Sequence, residues 1–327
     1  RSVAIGNYAL YASTVSGWTK NTAVGNSALG NIIATAGNTG VGYHVGYSSV
    51  LGAENTLVGA ESGYYLVGSD SVHIGYQTGY YSTGSYNTFV GSEAGKGSAT
   101  SAPYSSGQQN TAVGYYSLRN VTTGGNNVAI GKSSSPALTT GTGNVSVGVS
   151  ANESSTTGGN NVAIGYNSHR YISGGDKNIA IGYAALQSSG TPANNDAQYN
   201  IGIGYWALLA ITDGDNNTVL GNLAASAMTT TSDTVIIGVE AGDAINSADA
   251  DGTVLIGRSA GGALTSGRYN VAIGKNALAA QTTGDANIAI GENALLDLNH
   301  TNGSYNIAIG YNAGKSMGAI NVYSCIL

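Results

Sequence analysis

The chain has 327 residues, of which only 9% are charged, and a net charge of −6. Eleven Lys and Arg against 17 Asp and Glu exclude the basic surface that duplex nucleic acid requires. A single Cys allows neither an internal disulfide nor a Cys-rich zinc site, and no apolar run is long enough for a transmembrane helix, so no membrane insertion is expected.

From Ser2 onward one pentad recurs, Asn-(Thr/Val/Ile)-small-(Val/Ile)-Gly. Its glycines run from Gly6 and Gly25 to Gly291 and Gly310 in eighteen copies, and ten of the seventeen spacings are 17 residues. A short constant period with occasional insertions predicts one structural unit per repeat. Two β-branched positions flanking a small one, as in Val128-Ala129-Ile130, predict a short strand. After each glycine comes a segment with Ala or another small residue third and often Leu or Gly fourth, as in Leu118 and Gly95, read here as a second strand. A Thr/Ser/Gly turn such as Thr122-Thr123-Gly124 closes the unit. The expected fold is all-β, a parallel β-roll or β-helix solenoid of about 18 coils over residues 1–318, with 319–327 as a degenerate terminal coil or tail. No coil could bury its Val/Ile face alone, so stacking is expected to cover it.

Most pentads open with Asn, including Asn21, Asn38, Asn55, Asn127, Asn161, Asn178, Asn270, Asn287 and Asn306. Their amides are expected to bond from coil to coil as a structural ladder. Two small-residue columns, at mid-pentad and after the glycine (Ala28, Ala94, Ala185, Ala277), suit close approach of a neighbouring chain. The alternative is that they fill a thin core within one chain.

Candidate binding residues come from two insertions and from tyrosines. The insertions, between Gly91 and Gly114 and between Gly182 and Gly204, supply Tyr104, Gln108, Gln109, Asn194, Asn195, Asp196 and Tyr199, types suited to neutral hydrogen bonds and ring contacts. Tolerated loop drift is the alternative. Directly after the pentad glycine stand Tyr43, Tyr76, Tyr115, Tyr166, Tyr183, Tyr205 and Tyr311, a surface column read either as rim packing or as an extended sugar-binding face. His44, Glu61, Gln77 and Glu93 form a polar column, and His73, at mid-pentad, is placed near a shared axis where it meets its own copies. The turns around Asp213 and Asp249 lack the spacing of a calcium loop. No metal and no cofactor is expected. Neither a carboxylate pair nor a nucleophile with its base stands in a regular register, so an enzyme is not expected; a polysaccharide-degrading tailspike, centred on Asp243, Asp249 and Asp251, is the outlying reading.

The pentads Ser2-Val3-Ala4-Ile5-Gly6, Asn127-Val128-Ala129-Ile130-Gly131 and Asn270-Val271-Ala272-Ile273-Gly274 resemble the head repeats of YadA-like trimeric autotransporter adhesins. They are closer still to the Asn-Thr-Ala-Ile-Gly-Tyr repeats of phage tail fibres, although the repeat here is longer than that of the adhesin heads. The resemblance covers nearly the whole chain. It implies a left-handed β-roll, three chains side by side in a homotrimeric fibre, an extracellular place on a virion or bacterial cell surface, and attachment to a surface glycan. A bacterial adhesin or filament-forming protein is the alternative.

Overall fold

The computed structural model describes residues 1–12, 20–32, 36–48, 50–98, 105–188, 195–298, 303–317 and 325–326. The chain divides into two compact units, Arg1–Asn160 and Asn161–Leu327. Both are parallel β-solenoids. Among the described residues there is no α-helix, only a single 3-10 turn at Ala248–Ala250.

The first unit stacks nine three-residue strands, beginning Val3–Ile5, Thr22–Val24 and Thr39–Val41 and ending Thr111–Val113, Val128–Ile130 and Val145–Val147. The second begins Val162–Ile164 and Ile179–Ile181 and continues to Ile288–Ile290, Ile307–Ile309 and the two-residue Cys325–Ile326. Within each unit the register is in phase: Leu57 pairs with His73 and His73 with Phe89, and Ala272 pairs with Ala289. Insertions in the sequence therefore leave the strand ladder undisturbed, as Phe89 pairing with Ala112 across the first long insertion shows.

Among the described residues each coil holds one strand, not two. Residues two and four after the pentad glycine take positive φ, for example Tyr116 at 60° and Leu118 at 46°, or Asn276 and Leu278 at 55°. Left-handed residues at alternate positions break the pleat that a second strand would need. The segment still bonds between coils: the Leu118 N–H donates to the Ser134 carbonyl at 3.0 Å and the Leu278 N–H to the Ala294 carbonyl at 2.9 Å. The pentad glycine itself lies at φ from 125° to 149°. At Gly25, Gly42, Gly114 and Gly238, for example, a Cβ would run into the carbonyl of the next coil's glycine, so these positions admit no other residue.

The strand faces the opposite way from the expectation. The mid-pentad residue is inside: Ala23, Leu57, Ala112, Ala163 and Ala272 are fully buried. The β-branched residues flanking it point outward, and Val41, Ile74, Ile130 and Ile164 are 37–41% exposed. Stacking lines these aliphatic residues up without covering them. The small column after the glycine is also inside, with Ala28, Ala94, Ala185 and Ala277 fully buried. Both small columns thus fill a thin core within one chain, and neither is a face for a neighbour.

Core volume is balanced coil by coil. Where the mid-pentad residue is Ala, the fourth residue after the glycine is often Leu, as in Ala112 with Leu118 and Ala272 with Leu278. Where it is large, as at Leu57, His73 and Phe89, that position is Gly63, Gly79 and Gly95. A Cβ on Gly79 would land on the His73 imidazole, and one on Gly95 on the Phe89 ring. In these coils the strand and the segment after the glycine do not both place a large side chain at the facing positions.

Candidate functional site

The asparagine corner is buried and bonded from coil to coil, and among its described residues Asn306 Oδ1 alone is buried without a partner. Asn38 and Asn55 are fully buried, and the Asn55 N–H donates to Asn38 Oδ1 at 2.9 Å, as Asn38 does to Asn21 Oδ1. The same link joins Asn178 to Asn161, Asn287 to Asn270 and Asn306 to Asn287. The side-chain Nδ2 then donates to a turn carbonyl of the next coil: Asn127 to Gly141 at 2.9 Å, Asn161 to Gly175 and Asn270 to Gly284 at 2.8 Å. The asparagine thus satisfies both a strand N–H and a turn C=O that the corner takes out of water. Ser71 and Thr234 substitute with shorter side chains, Thr234 Oγ1 donating to Asn217 Oδ1 at 2.7 Å.

The tyrosines after the pentad glycine are surface residues, about half exposed at Tyr43, Tyr76, Tyr115, Tyr166, Tyr183 and Tyr205 and 73% exposed at Tyr311. In the second unit they stack ring on ring, Tyr166 to Tyr183 at 5.3 Å and Tyr183 to Tyr205 at 5.2 Å, with planes within 14° of parallel. In the first unit Tyr43 stacks on His44 at 3.9 Å and Tyr115 on Tyr116 at 3.8 Å. Rings that cover each other's faces offer their edges and hydroxyls to a ligand. They suit hydrogen bonding along the column better than face-on contact with a sugar ring.

Of the insertion residues, Tyr104 and Asn194 lie outside the described residues. Gln108 and Gln109 are exposed, and their backbones are tied to neighbouring coils by Gln108 C=O accepting from Asn126 N–H and Gln109 N–H donating to Ser85 C=O. Asn195 is buried and donates to the Tyr171 carbonyl at 2.9 Å. Asp196 is exposed; loss of surrounding water and then the like charges of Asp215, Asp176 and Asp213 hold its carboxyl above the usual range. Tyr199 carries Lys177 over its ring at 4.7 Å and receives a hydrogen bond from Lys177 Nζ at 3.1 Å. The two insertions sit on different units.

Acidic residues of the turns serve the backbone. Asp215 Oδ1 accepts from Gln198 N–H and Asp251 Oδ1 from Ser232 N–H, both at 2.7 Å. Burial, followed by the charge of Glu240, raises the Asp243 carboxyl. Among the described residues no three His, Cys, Asp or Glu gather as metal ligands. In the polar column Gln77 Nε2 donates to Glu61 Oε2 at 2.7 Å. Glu93 pairs with Arg119 at 2.8 Å and Lys96 at 3.0 Å. Partial burial works to raise Glu93, but those hydrogen bonds outweigh it and hold the carboxyl low.

His73 is inside one chain, not at a shared axis. It is fully buried, stacks on Phe89 at 5.0 Å, and neither ring nitrogen has a hydrogen-bond partner. Burial lowers its pKa to about 3, so it is neutral at physiological pH.

The sequence reading missed a second tyrosine cluster, five and six residues after the glycine. Tyr64 stacks on Tyr80 at 5.0 Å, Tyr65 on Tyr81 at 5.6 Å, and adjacent rings meet near perpendicular at 4.6–4.7 Å. Burial, then neighbouring tyrosines and Glu61, raises the Tyr64 hydroxyl, and burial, then Glu61, raises that of Tyr80. The signal was present: Tyr64-Tyr65 and Tyr80-Tyr81 hold the same offset after Gly59 and Gly75. At one end of this region a cavity of about 180 Å³ is lined by Tyr8, Tyr11, Ser27, Gly30, Asn31 and Tyr47.

No helix among the described residues is long and apolar enough to cross a membrane. No protein-family model matches the chain, and no curated protein matches it.

Proposed function

We propose that the chain is a structural and receptor-binding segment of an extracellular fibre, built as a homotrimer and attaching a virion or a bacterial surface to surface glycans. The observation that supports this most is the outward aliphatic column. Val41, Ile74, Val113 and Ile130 in the first unit, and Ile164, Leu220 and Ile309 in the second, are 36–44% exposed while their inner neighbours are fully buried. Contiguous exposed apolar surface marks an interaction site. A regular column repeated in register is matched by the same column on another copy, and a closed ring of copies hides it from water. The resemblance to trimeric head and tail-fibre repeats supplies the number three.

Sedimentation equilibrium tests the assembly. The wild-type chain is expected as a single trimeric species, and Val41→Asp with Val113→Asp as a folded monomer. A wild-type monomer at micromolar concentration refutes the trimer. Association that continues without a limit favours the filament-forming alternative, in which rods pack on one another. A glycan array with the intact chain tests attachment, and the absence of any bound glycan refutes that half of the reading.

A further inference from the structure

Five residues after the pentad glycine, successive coils carry Tyr11, Gly30, Tyr47, Tyr64 and Tyr80. Gly30 is a missing rung in an otherwise aromatic column. A Cβ at this position would lie 3.0 and 3.1 Å from Cδ2 and Cε2 of Tyr47 and 3.2 Å from the Ser27 carbonyl, so the Tyr47 ring leans over bare backbone. The gap is the cavity of about 180 Å³, with Tyr8 and Tyr11 on one side, Tyr47 on the other, and Ser27, Gly30 and Asn31 between them.

These tyrosines differ from the stacked columns. Tyr8 and Tyr11 meet edge to face at 5.0 Å. Ser27 Oγ donates to Asn26 Oδ1 at 3.0 Å, which leaves the hydroxyl oxygen free to accept. The exposed Asn31 offers a donor and an acceptor. No charged side chain lines the cavity. Aromatic walls with a neutral hydrogen-bonding floor match a ring that is apolar on its faces and hydroxylated at its rim. The volume falls below the roughly 300 Å³ at which pockets for drug-sized ligands begin, so the fit is to one ring.

We infer that Tyr8, Tyr11, Tyr47, Ser27 and Asn31 form a binding site for a single neutral pyranose unit, with Gly30 leaving the space it fills. The inference rests on the glycan-attachment reading and names a place for it. The intact chain is titrated with methyl β-glucoside, methyl β-galactoside and methyl N-acetyl-β-glucosaminide, with phenol as a planar aromatic control, while the tyrosine ring resonances are followed. At least one glycoside is expected to bind. Tyr11→Ala, which removes one wall, and Gly30→Ala, whose methyl enters the gap and displaces the Tyr47 ring, are each expected to weaken binding about tenfold at an unchanged unfolding temperature. Tyr183→Ala, in the stacked column, leaves it unchanged. Binding equal in wild type and Tyr11→Ala, or binding of phenol alone, overturns the site. The two readings separate on the array: glycans held equally by wild type and Tyr11→Ala refute this cavity while attachment stands, and an empty array refutes attachment while the titration decides the cavity.

Discussion

In the unit Asn161–Leu327 the buried apolar side chains run as one cluster from Ile172 to Ala308. In Arg1–Asn160 they form two, one from Ala23 to Leu66 and one from Phe89 to Leu138, and the buried His73 stands between them. The second unit also buries a histidine, His169, but its Nε2 lies 3.1 Å from Asn178 Nδ2, which gives it a donor to accept from. The backbone of the coil is the same in both units, with the same glycine and left-handed positions. A solenoid coil therefore tolerates a wide choice of interior side chain, and the cost of each choice is set by its partners.

The largest expected effect tests the balance of volume between the two walls. Phe89→Ala leaves a cavity and should cost about 3–5 kcal/mol, and Gly95→Leu alone drives a side chain into Phe89 at a cost of about 1–3 kcal/mol. Together they recreate the Ala112–Leu118 pairing of the next coil, and φ of 55° at Gly95 against 46° at Leu118 shows that a leucine fits that backbone. The double variant should recover most of the loss in chemical denaturation. Simple addition of the two losses would show that the walls are not coupled.

Acid comes next. The folded-state pKa of His73 is about 3 and that of His169 about 4, both below the ordinary 6.5, because burial opposes the charged ring. The unfolded chain therefore binds protons first, and the stability of the neutral form is complete above pH 6.5 and lost as pH falls toward 4 and 3. Each histidine should contribute roughly 1.4 kcal/mol of loss per pH unit in that window. Replacement by Leu separates the two. His73→Leu removes two unpartnered buried nitrogens and should stabilise the first unit by about 1–2 kcal/mol while flattening its acid slope. His169→Leu takes a partner from Asn178 and should destabilise the second by about 1–2 kcal/mol at pH 7. Hydrogen exchange read separately over the two units checks both signs, and equal signs would mean that partnering does not set the cost.

The smallest effects concern the corner. Asn127→Ala orphans the Asn144 N–H and the Gly141 carbonyl and should cost about 2 kcal/mol. Thr234→Val in the second unit removes only the hydroxyl link to Asn217 and should cost about 1 kcal/mol. Thermal unfolding of the two variants ranks them, and a reversed order would make the corner bonds secondary to packing.

The corner was legible from the recurrence of Asn alone, because a buried amide at a fixed period must answer to its own copies. Its second partner, the turn carbonyl of Gly141 or Gly175, was not, since that contact is made fourteen residues away across a bend. The Tyr43-to-Tyr311 column was placed on the surface by position, but whether its rings lie flat or stack depends on side-chain packing between coils. Gly30 carries no signal by itself in the sequence. Only the column it interrupts makes it a gap.

Period, strand position and the parallel in-phase stacking follow from the sequence, because each is fixed locally by the pentad and repeated at the same offset. Which side of the strand faces inward does not. Alternation separates the two faces without naming them, and two β-branched residues against one alanine point the wrong way. The closed coil decides it: the turn after the glycine comes back so close to the strand that a large middle residue fits inside only where the opposite wall gives up its leucine, for glycine facing Phe89 and for alanine facing Val219.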